Sequence, residues 1–323
     1  MASLTRTETL DNLYTTTWYH TRDSVADNVF DMYPLFFWMR DKGKLRPVEG
    51  GRFIEDPIAF DENTNITWIK KGGTVSLGDY EFLTVAHWDW FYLVAPLVRF
   101  GVDDQQNRGR MAILNLLQQK INNTRIGLAK ELETVLFAGA ASGDEFDGLQ
   151  RLVADNPAAS VDIAGIDQNV NSWWRNKFTD MTTESFAAFG FNRMRTILNN
   201  VSNNGNAARP DIIVSGQNPY EYYEDSILDF YRINSNLLGD AGFQNIMFKG
   251  IPMVWSPSCG TRMYFLNTEH LSMVYDPDMF FDMTEWKAIP DQVRDRAEQI
   301  IFATSFTTNR RRAHGVIFNI DTE

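Results

Sequence analysis

The chain has 323 residues, of which 44% are apolar and 22% charged, enough for a sizeable core in one large domain or two ordinary ones. Its formal net charge of −12 argues against a general nucleic-acid binder or a ligand of anionic membranes, because such affinity rests on Lys and Arg neutralising phosphates. One cysteine, Cys259, excludes an internal disulfide framework and fits a reducing compartment.

Met1–His20 is polar and Thr-rich and reads as an extended arm; it lacks the basic start and apolar core of a secretory signal. No stretch reaches the roughly eighteen apolar residues of a membrane span. From Ser24 to Arg40, Val25, Val29, Met32 and Phe36 fall at helical spacing, with Pro34 interrupting the helix. "GKLRPVEGG", Gly43–Gly51, is turn chemistry. From Arg52 to Val85 the period changes to two: Ile54, Ile58 and Phe60, then Ile66 and Trp68, Val75 and Leu77, Tyr80 and Phe82. With breaks at "DENTN" and "KKGG", this predicts extended strands joined by turns. Fifteen extended residues reach about 50 Å, and an isolated hairpin is marginal in water, so something outside this unit is expected to cover it.

Gln105–Ala138 is a long predicted helix, about 50 Å at 1.5 Å per residue. Leu114, Leu117, Ile121, Leu128, Leu132 and Val135 form its single apolar stripe. From Thr182 the pattern becomes α/β. Thr182 or Thr183 is placed as the cap of a helix carrying Phe186, Met194, Ile197 and Val201. "PDIIVSG", Pro210–Gly216, is a buried strand, and a helix follows with Asn218 as its cap and Pro219 at its first position. "NIMFKGIPMVWSP", "MYFLN" and "LSMVYDP" are further strands. "EQIIFATSFTTN" and "HGVIFNI" form a closing strand pair on either side of a basic turn, Arg310–Arg312.

Aromatic residues are abundant at 13%, with 23 Phe and 9 Trp, more than one small core needs; interfaces are an outlet for them. Catalytic signatures are missing: there is no Gly-x-Ser-x-Gly, P-loop, Gly-x-Gly-x-x-Gly or His-Glu-x-x-His. His20, His87, His270 and His314 are dispersed, and no metal site is predicted from them. Cys259 reads as a lone buried thiol. Asp276, Asp278, Asp282 and Glu285 lack the glycine and spacing of a calcium loop and read as a solvated rim. Arg310, Arg311 and Arg312 read as a cationic turn paired with acidic neighbours, and Lys70 and Lys71 as solvated or paired with another subunit. No cofactor is expected. "DQNVNSWWRNKF", Asp167–Phe178, leaves two readings open: a stacking platform for single-stranded nucleic acid, or an anchor packed at a subunit joint. A hydrolase using acidic residues is a third possibility, although no carboxylate pair is singled out.

The order of these parts is similar to the major capsid proteins of tailed bacteriophages, with the α+β Hong Kong 97-like (Johnson) fold. The phrases that carry the resemblance are "GKLRPVEGGRFIEDPIAF", the long helix ending in "FDGLQRLV", "GIDQNVNSWWRNKF", "PDIIVSGQNPYEYYE", "FKGIPMVWSPS…GTRMYFLNTEHLSMV" and "FATSFTTNRRRAHGVIFNI". The resemblance implies an N-terminal arm and helix over 1–47, an extended hairpin (E-loop) over 48–85 and a peripheral domain over 86–181 with its spine helix at 105–138. An axial domain over 182–284 and a return to the peripheral domain over 285–323 complete it. It implies a structural protein, not an enzyme, that assembles with itself into hexamers and pentamers of an icosahedral head around double-stranded DNA. Portal, scaffolding and decoration proteins are implied partners, with any scaffold separate or already removed. Assembly in the host bacterial cytoplasm and residence in the virion follow, with no membrane and no sequence-specific DNA binding. The inter-subunit contacts implied are Phe53, Ile54, Ile58, Phe60, Ile66, Trp68, Lys70 and Lys71 on the hairpin, Trp173, Trp174 and Arg175 at the joint, and Arg310, Arg311 and Arg312 in the turn. Some relatives cross-link a hairpin lysine to an asparagine, for which Lys70 or Lys71 and Asn309 are the candidates here.

Overall fold

The structure, a computed structural model, describes residues 33–61, 65–74, 78–79, 81–100, 110–139, 143–203, 209–227, 245–290, 292 and 295–321, with the side chains of 110–118 and 121 left aside. The arm, the first part of the predicted helix Ser24–Arg40, and Val75, Leu77 and Tyr80 lie outside these residues. The helix Pro34–Asp41 begins at Pro34. Proline's fixed φ suits the first helical turn, where its missing N–H costs nothing, so Pro34 opens this helix instead of interrupting it. Leu35, Phe36, Trp38 and Met39 are its buried face.

The strands in chain order are β1 (Leu45–Pro47), β2 (Ile54–Ala59), β3 (Leu83–Trp88), β4 (Phe91–Arg99), β5 (Asp162–Ile163), β6 (Ile166–Asp167), β7 (Lys177–Asp180), β8 (Ile212–Ser215), β9 (Ile246–Phe248) and β10 (Ile251–Trp255). They continue with β11 (Met263–Leu266), β12 (Leu271–Tyr275), β13 (Asp282–Met283), β14 (Lys287–Ala288), β15 (Arg296–Thr308) and β16 (Gly315–Phe318). The long helix occupies Arg110–Leu136 between β4 and β5. Its described stripe residues Leu128, Leu132 and Val135 are buried as their spacing predicts.

One sheet is organised on β15, whose thirteen residues are nearly all inward from Ile300 onward. Along one side it pairs antiparallel with β4, from Arg296↔Arg99 to Thr304↔Phe91. Along the other it meets β14, β13 and β12 in turn, and β1 joins β12 in parallel. β4 is not evident in the sequence because Pro96 interrupts its run. Its only strand partner among the described residues is β15, and an edge strand tolerates a proline that an inner strand does not.

The second sheet has the order β7-β16-β11-β8-β10-β9. The helix Phe186–Ser202 lies on it with Met194, Ile197 and Val201 inward. A Cβ at Gly315 would stand 2.8 Å from Ile197 Cγ1, so only glycine lets this helix sit so close to β16. The cap of that helix is Ser185, whose hydroxyl accepts from Ala188 N at 3.4 Å, instead of Thr182 or Thr183. The next helix, Gln217–Ser226, is preceded by Gly216 as its cap, which moves Asn218 and Pro219 inside its first turn. Position 216 has room only for glycine because Gly260 passes directly against it: a Cβ there would meet the Gly260 carbonyl at 1.5 Å.

Sheet membership crosses the boundaries expected at 181/182 and 284/285. β12 belongs with β15 in the first sheet, while β7 and β16 belong with β8 and β10 in the second. β15 and β16 are therefore not a hairpin, and the basic turn between them hands the chain from one sheet to the other. Two apolar clusters lie on either face of the second sheet, one shared with the first sheet, the long helix and Pro34–Asp41 through Ile212, Val214, Tyr264 and Leu266, the other beneath the helices of the second sheet. Trp38 Nε1 donates to Asp211 Oδ2 at 3.2 Å and ties the two together. No helix among the described residues is long and apolar enough to cross a membrane.

Candidate functional site

The hairpin has a buried root and an exposed tip. β2 and β3 pair from Ile54↔Trp88 to Ala59↔Leu83, and β2 alternates strictly between buried and exposed. Ile54 and Ile58 point into the subunit core, at 2% and 4% exposure. They are corrected from inter-subunit contacts to core residues, since both are already covered within the chain. Asp56 faces the same way and pairs with Arg46 Nη1 at 2.8 Å.

Beyond Phe60, whose N–H donates to Phe82 O at 3.0 Å, residues 65–74 carry no regular strand, where the sequence predicts one through Ile66 and Trp68. Neither face of this segment has a core to pair against, so alternation has nothing to select. A turn closes from Gly73 N to Lys70 O at 2.8 Å, with Gly72 at φ +85°, a conformation glycine adopts without strain. Asn65 Nδ2 bridges the two legs to Gly78 O at 2.6 Å. Ile66, Trp68 and Ile69 are 78%, 103% and 54% exposed, with Lys70 and Lys71 exposed beside them. Ile69 is missing from the predicted contacts because a period of two places it opposite Trp68. On a tip open on both sides, both faces count.

The tryptophan pair sits in the 3-10 turn Ser172–Trp174. Phe60 stacks on Trp173 with ring centroids 5.1 Å apart and planes 25° from parallel. Trp174 is interior, and its Nε1 donates to Ile163 O at 3.3 Å. One ring is thus covered and the other enclosed, which removes the nucleic-acid platform reading and takes Trp174 off the list of inter-subunit contacts. Arg175 Nε donates to Gln168 O at 2.7 Å and its Nη2 to Asn169 O, so it holds its own loop's carbonyls and not an acidic partner.

Of the three turn arginines, Arg311 is fully buried and cannot be a surface contact. Its Nε donates to Leu152 O at 2.7 Å, Nη1 to Gln168 Oε1 and Trp174 O at 3.0 Å each, and Nη2 to Arg151 O and Asn176 Oδ1 at 3.3 Å each. Its guanidinium also lies 5.7 Å from the Trp174 ring centroid. Burial lowers its pKa to about 9, still protonated at neutral pH. Arg310 and Arg312 remain half-buried and line a shallow depression with Ile58, Phe60 and Trp173. Asn309 is in the same depression, its Oδ1 2.8 Å from His270 Nδ1.

Among the described residues, no three His, Cys, Asp or Glu side chains are grouped to hold a metal. In the acidic run, Asp276 Oδ1 accepts from Asp278 N at 2.9 Å and caps a turn. Burial raises the Cys259 thiol far out of the reactive range. Burial also raises the pKa of Glu133, which accepts hydrogen bonds from Ser256, just after β10, and from Tyr33, the cap of the first helix, and so joins the long helix to both. His314 is enclosed, with Nδ1 accepting from Asn267 N at 3.2 Å and Thr308 Oγ1 3.3 Å from Nε2. Burial, then His270 and Arg311, lower its pKa to about 3.

The folded state therefore keeps His314 neutral where the unfolded chain takes up a proton. Stability is fully present above about pH 6.5 and is lost as pH falls toward about 3. Between pH 6.5 and 5 this one residue is expected to cost about 2 kcal/mol. Urea denaturation at both pH values should show that loss in the wild type and not in His314→Gln. Equal pH slopes in the two proteins would rule it out.

No sequence-family model and no curated protein sequence matches the chain. Solved structures do. A subunit of the cyanophage A-1(L) capsid superposes with a TM-score of 0.63 at 17% identity, covering 87% of this chain and 92% of that one. The SrpI encapsulin of Synechococcus elongatus PCC 7942 gives 0.55 at 11% identity over 88% and 87%, and the capsid of Myoviridae phage XM1 gives 0.52 at 10% over 87% and 91%. The chain has the Hong Kong 97-like fold. In these Hong Kong 97-like chains the likeness extends over most of both partners, so the shared fold is that of most of the chain and not of a small part of it.

Proposed function

We propose that the chain is the major capsid protein of a tailed phage, assembling with itself into hexamers and pentamers that build an icosahedral head around double-stranded DNA. The observation that carries this reading is the hairpin tip: three large apolar side chains and two lysines stand in solvent at the end of a rooted hairpin. Monomeric proteins rarely present such a cluster without a partner for it. In a shell the tip drapes over a neighbouring subunit, and many repeated modest contacts combine into high avidity.

On this reading residues 48–85 are the E-loop, the first sheet with the long helix as its spine is the peripheral domain, and the second sheet with its helices is the axial domain, so that β12 falls to the peripheral part and β7 and β16 to the axial part. The chain then returns to the peripheral sheet through β15. Phe53, Phe60, Ile66, Trp68, Lys70, Lys71, Trp173, Arg175, Arg310 and Arg312 remain as contacts, to which Ile69 is added. Lys70 or Lys71 with Asn309 is the candidate cross-link. A portal, a scaffolding protein and decoration proteins complete the virion in which the chain resides, after assembly in the bacterial cytoplasm. A net charge of −12 keeps the shell from gripping the DNA it must later release.

Expression of the chain alone, followed by sedimentation and negative-stain imaging, is expected to yield rings or closed particles. A species that stays monomeric or dimeric at high concentration would refute the proposal. The likeness to an encapsulin supports a second reading, a shell that is not a phage head. Particles carrying a portal and nuclease-protected double-stranded DNA favour the first.

A further inference from the structure

An open groove of about 1020 Å³ lies between the root of the hairpin, the start of β4 and the loop after the long helix. Its apolar wall is formed by Trp88, Trp90 and Tyr92, and its rim carries Asp89, Asp144 and Asp162. All three carboxylates are exposed. The fourth acid, Asp147, is already paired with Arg151 Nε at 2.9 Å, and the remaining cation, Arg52, lies over the Phe53 ring at 5.1 Å. The rim is therefore net negative, above an aromatic wall.

The hairpin tip has the complementary composition, Lys70 and Lys71 beside Ile66, Trp68 and Ile69. We infer that this groove receives the hairpin tip of a second copy of the chain, its lysines against Asp89 and Asp144, in place of the cross-link to Asn309, and its apolar residues against the aromatic wall. The inference rests on the shell reading and names the surface that the tip meets.

The occupant cannot be the chain's own tip. The groove's wall includes Phe53, His87 and Trp88, the root of the same hairpin. Pairing through Ala59↔Leu83 and the Asn65–Gly78 bridge hold the legs together on the way out. The strand Ile54–Ala59 alone carries the chain roughly 17 Å away from that root. Tip and groove are therefore different patches on one subunit, and joining them head to tail makes a heterologous contact, the kind that closes into rings.

Charge reversal tests the pairing. Lys70→Glu with Lys71→Glu, and separately Asp89→Lys with Asp144→Lys, should each lower the assembled fraction about tenfold. All four residues are exposed, so circular dichroism should show native folding. The combined four-residue variant should recover most assembly, and raising the salt should weaken the wild-type contact. In parallel, carbodiimide treatment of wild-type particles should link Lys70 or Lys71 to Asp89, Asp144 or Asp162 between subunits, and peptide mapping would identify the link. If the wild type assembles but the reversals have no effect, or the combination is no better than its parents, the groove assignment is wrong while the shell reading stands. Links from the groove to another segment overturn it equally. A wild type that never assembles removes the shell reading and the groove pairing together.

Discussion

Ile66→Asp, Trp68→Asp and Ile69→Asp in one chain should give a subunit that folds like its parent and no longer assembles. These side chains are exposed, so the subunit loses little by their replacement; exposed substitutions of this kind change stability by about 0.5 kcal/mol or less. Assembly is different. Covering a large apolar side chain contributes about 1.5–3 kcal/mol, and a carboxylate in its place must be desolvated without a partner. Three such changes at a contact repeated around every ring remove far more than a modest interface can spare. Sedimentation velocity should show a monomer where the parent forms particles, with matching urea midpoints. Unchanged particles would show that the tip is not an assembly element. Removing the whole hairpin would be a poorer experiment, because it also deletes Ile54 and Ile58 from the core. Ile58→Asp serves as the contrast: it should unfold the subunit, not merely disperse it.

Much of this architecture could be read from periodicity. The long helix announces itself through Leu128, Leu132 and Val135, and β8 through the unbroken run Ile212–Val214, because deep burial on one stripe or on both faces leaves a pattern in the residues. The hairpin was legible as a two-residue period, but not the point along it where burial stops. Ile58 and Ile66 look alike in the sequence, and only the β3 partner and the core beneath Ile58 separate them. β4 was concealed by Pro96. The sheet to which each of the last strands belongs was not readable either, because strand pairing between β15 and β4 depends on residues some two hundred positions apart. The most misleading phrase was the basic turn. Three consecutive arginines in an acidic chain suggest a surface turn paired with acidic neighbours, yet the middle one is enclosed among neutral acceptors. The signal that could have pointed inward is the flanking pattern: "TTNRRRAHGVIF" continues directly into a buried strand, and a 3-10 turn at Arg311–Ala313 turns Arg311 away from its two neighbours.

That enclosed arginine carries the second large effect. Arg311→Ala is expected to cost the subunit about 3–5 kcal/mol, the range for removing one partner of a buried charged network, while Arg312→Ala stays within about 1 kcal/mol. The five acceptors that meet the Arg311 guanidinium come from Arg151, Leu152, Gln168, Trp174 and Asn176. With the side chain gone these oxygens face a void, and each buried unpaired acceptor costs about 1–3 kcal/mol unless water replaces the donor. Lysine does not rescue the site, since an ammonium cannot reproduce a planar fork that reaches acceptors on both sides. The consequence reaches the assembly surface through Trp174. Its ring lies against Arg311 on one side and contacts Trp173 at 5.8 Å on another, and Trp173 supports Phe60 at the point where the hairpin leaves the body. Loosening Arg311 should therefore increase amide exchange first in residues 163–176 and then at the hairpin root, before any global unfolding. Urea denaturation of Arg311→Ala, Arg311→Lys and Arg312→Ala, with hydrogen exchange on whichever variants fold, checks both parts. If Arg311→Ala is as stable as Arg312→Ala, the buried fork does not organise this joint, and the hairpin must be held at its root by β2 and β3 alone.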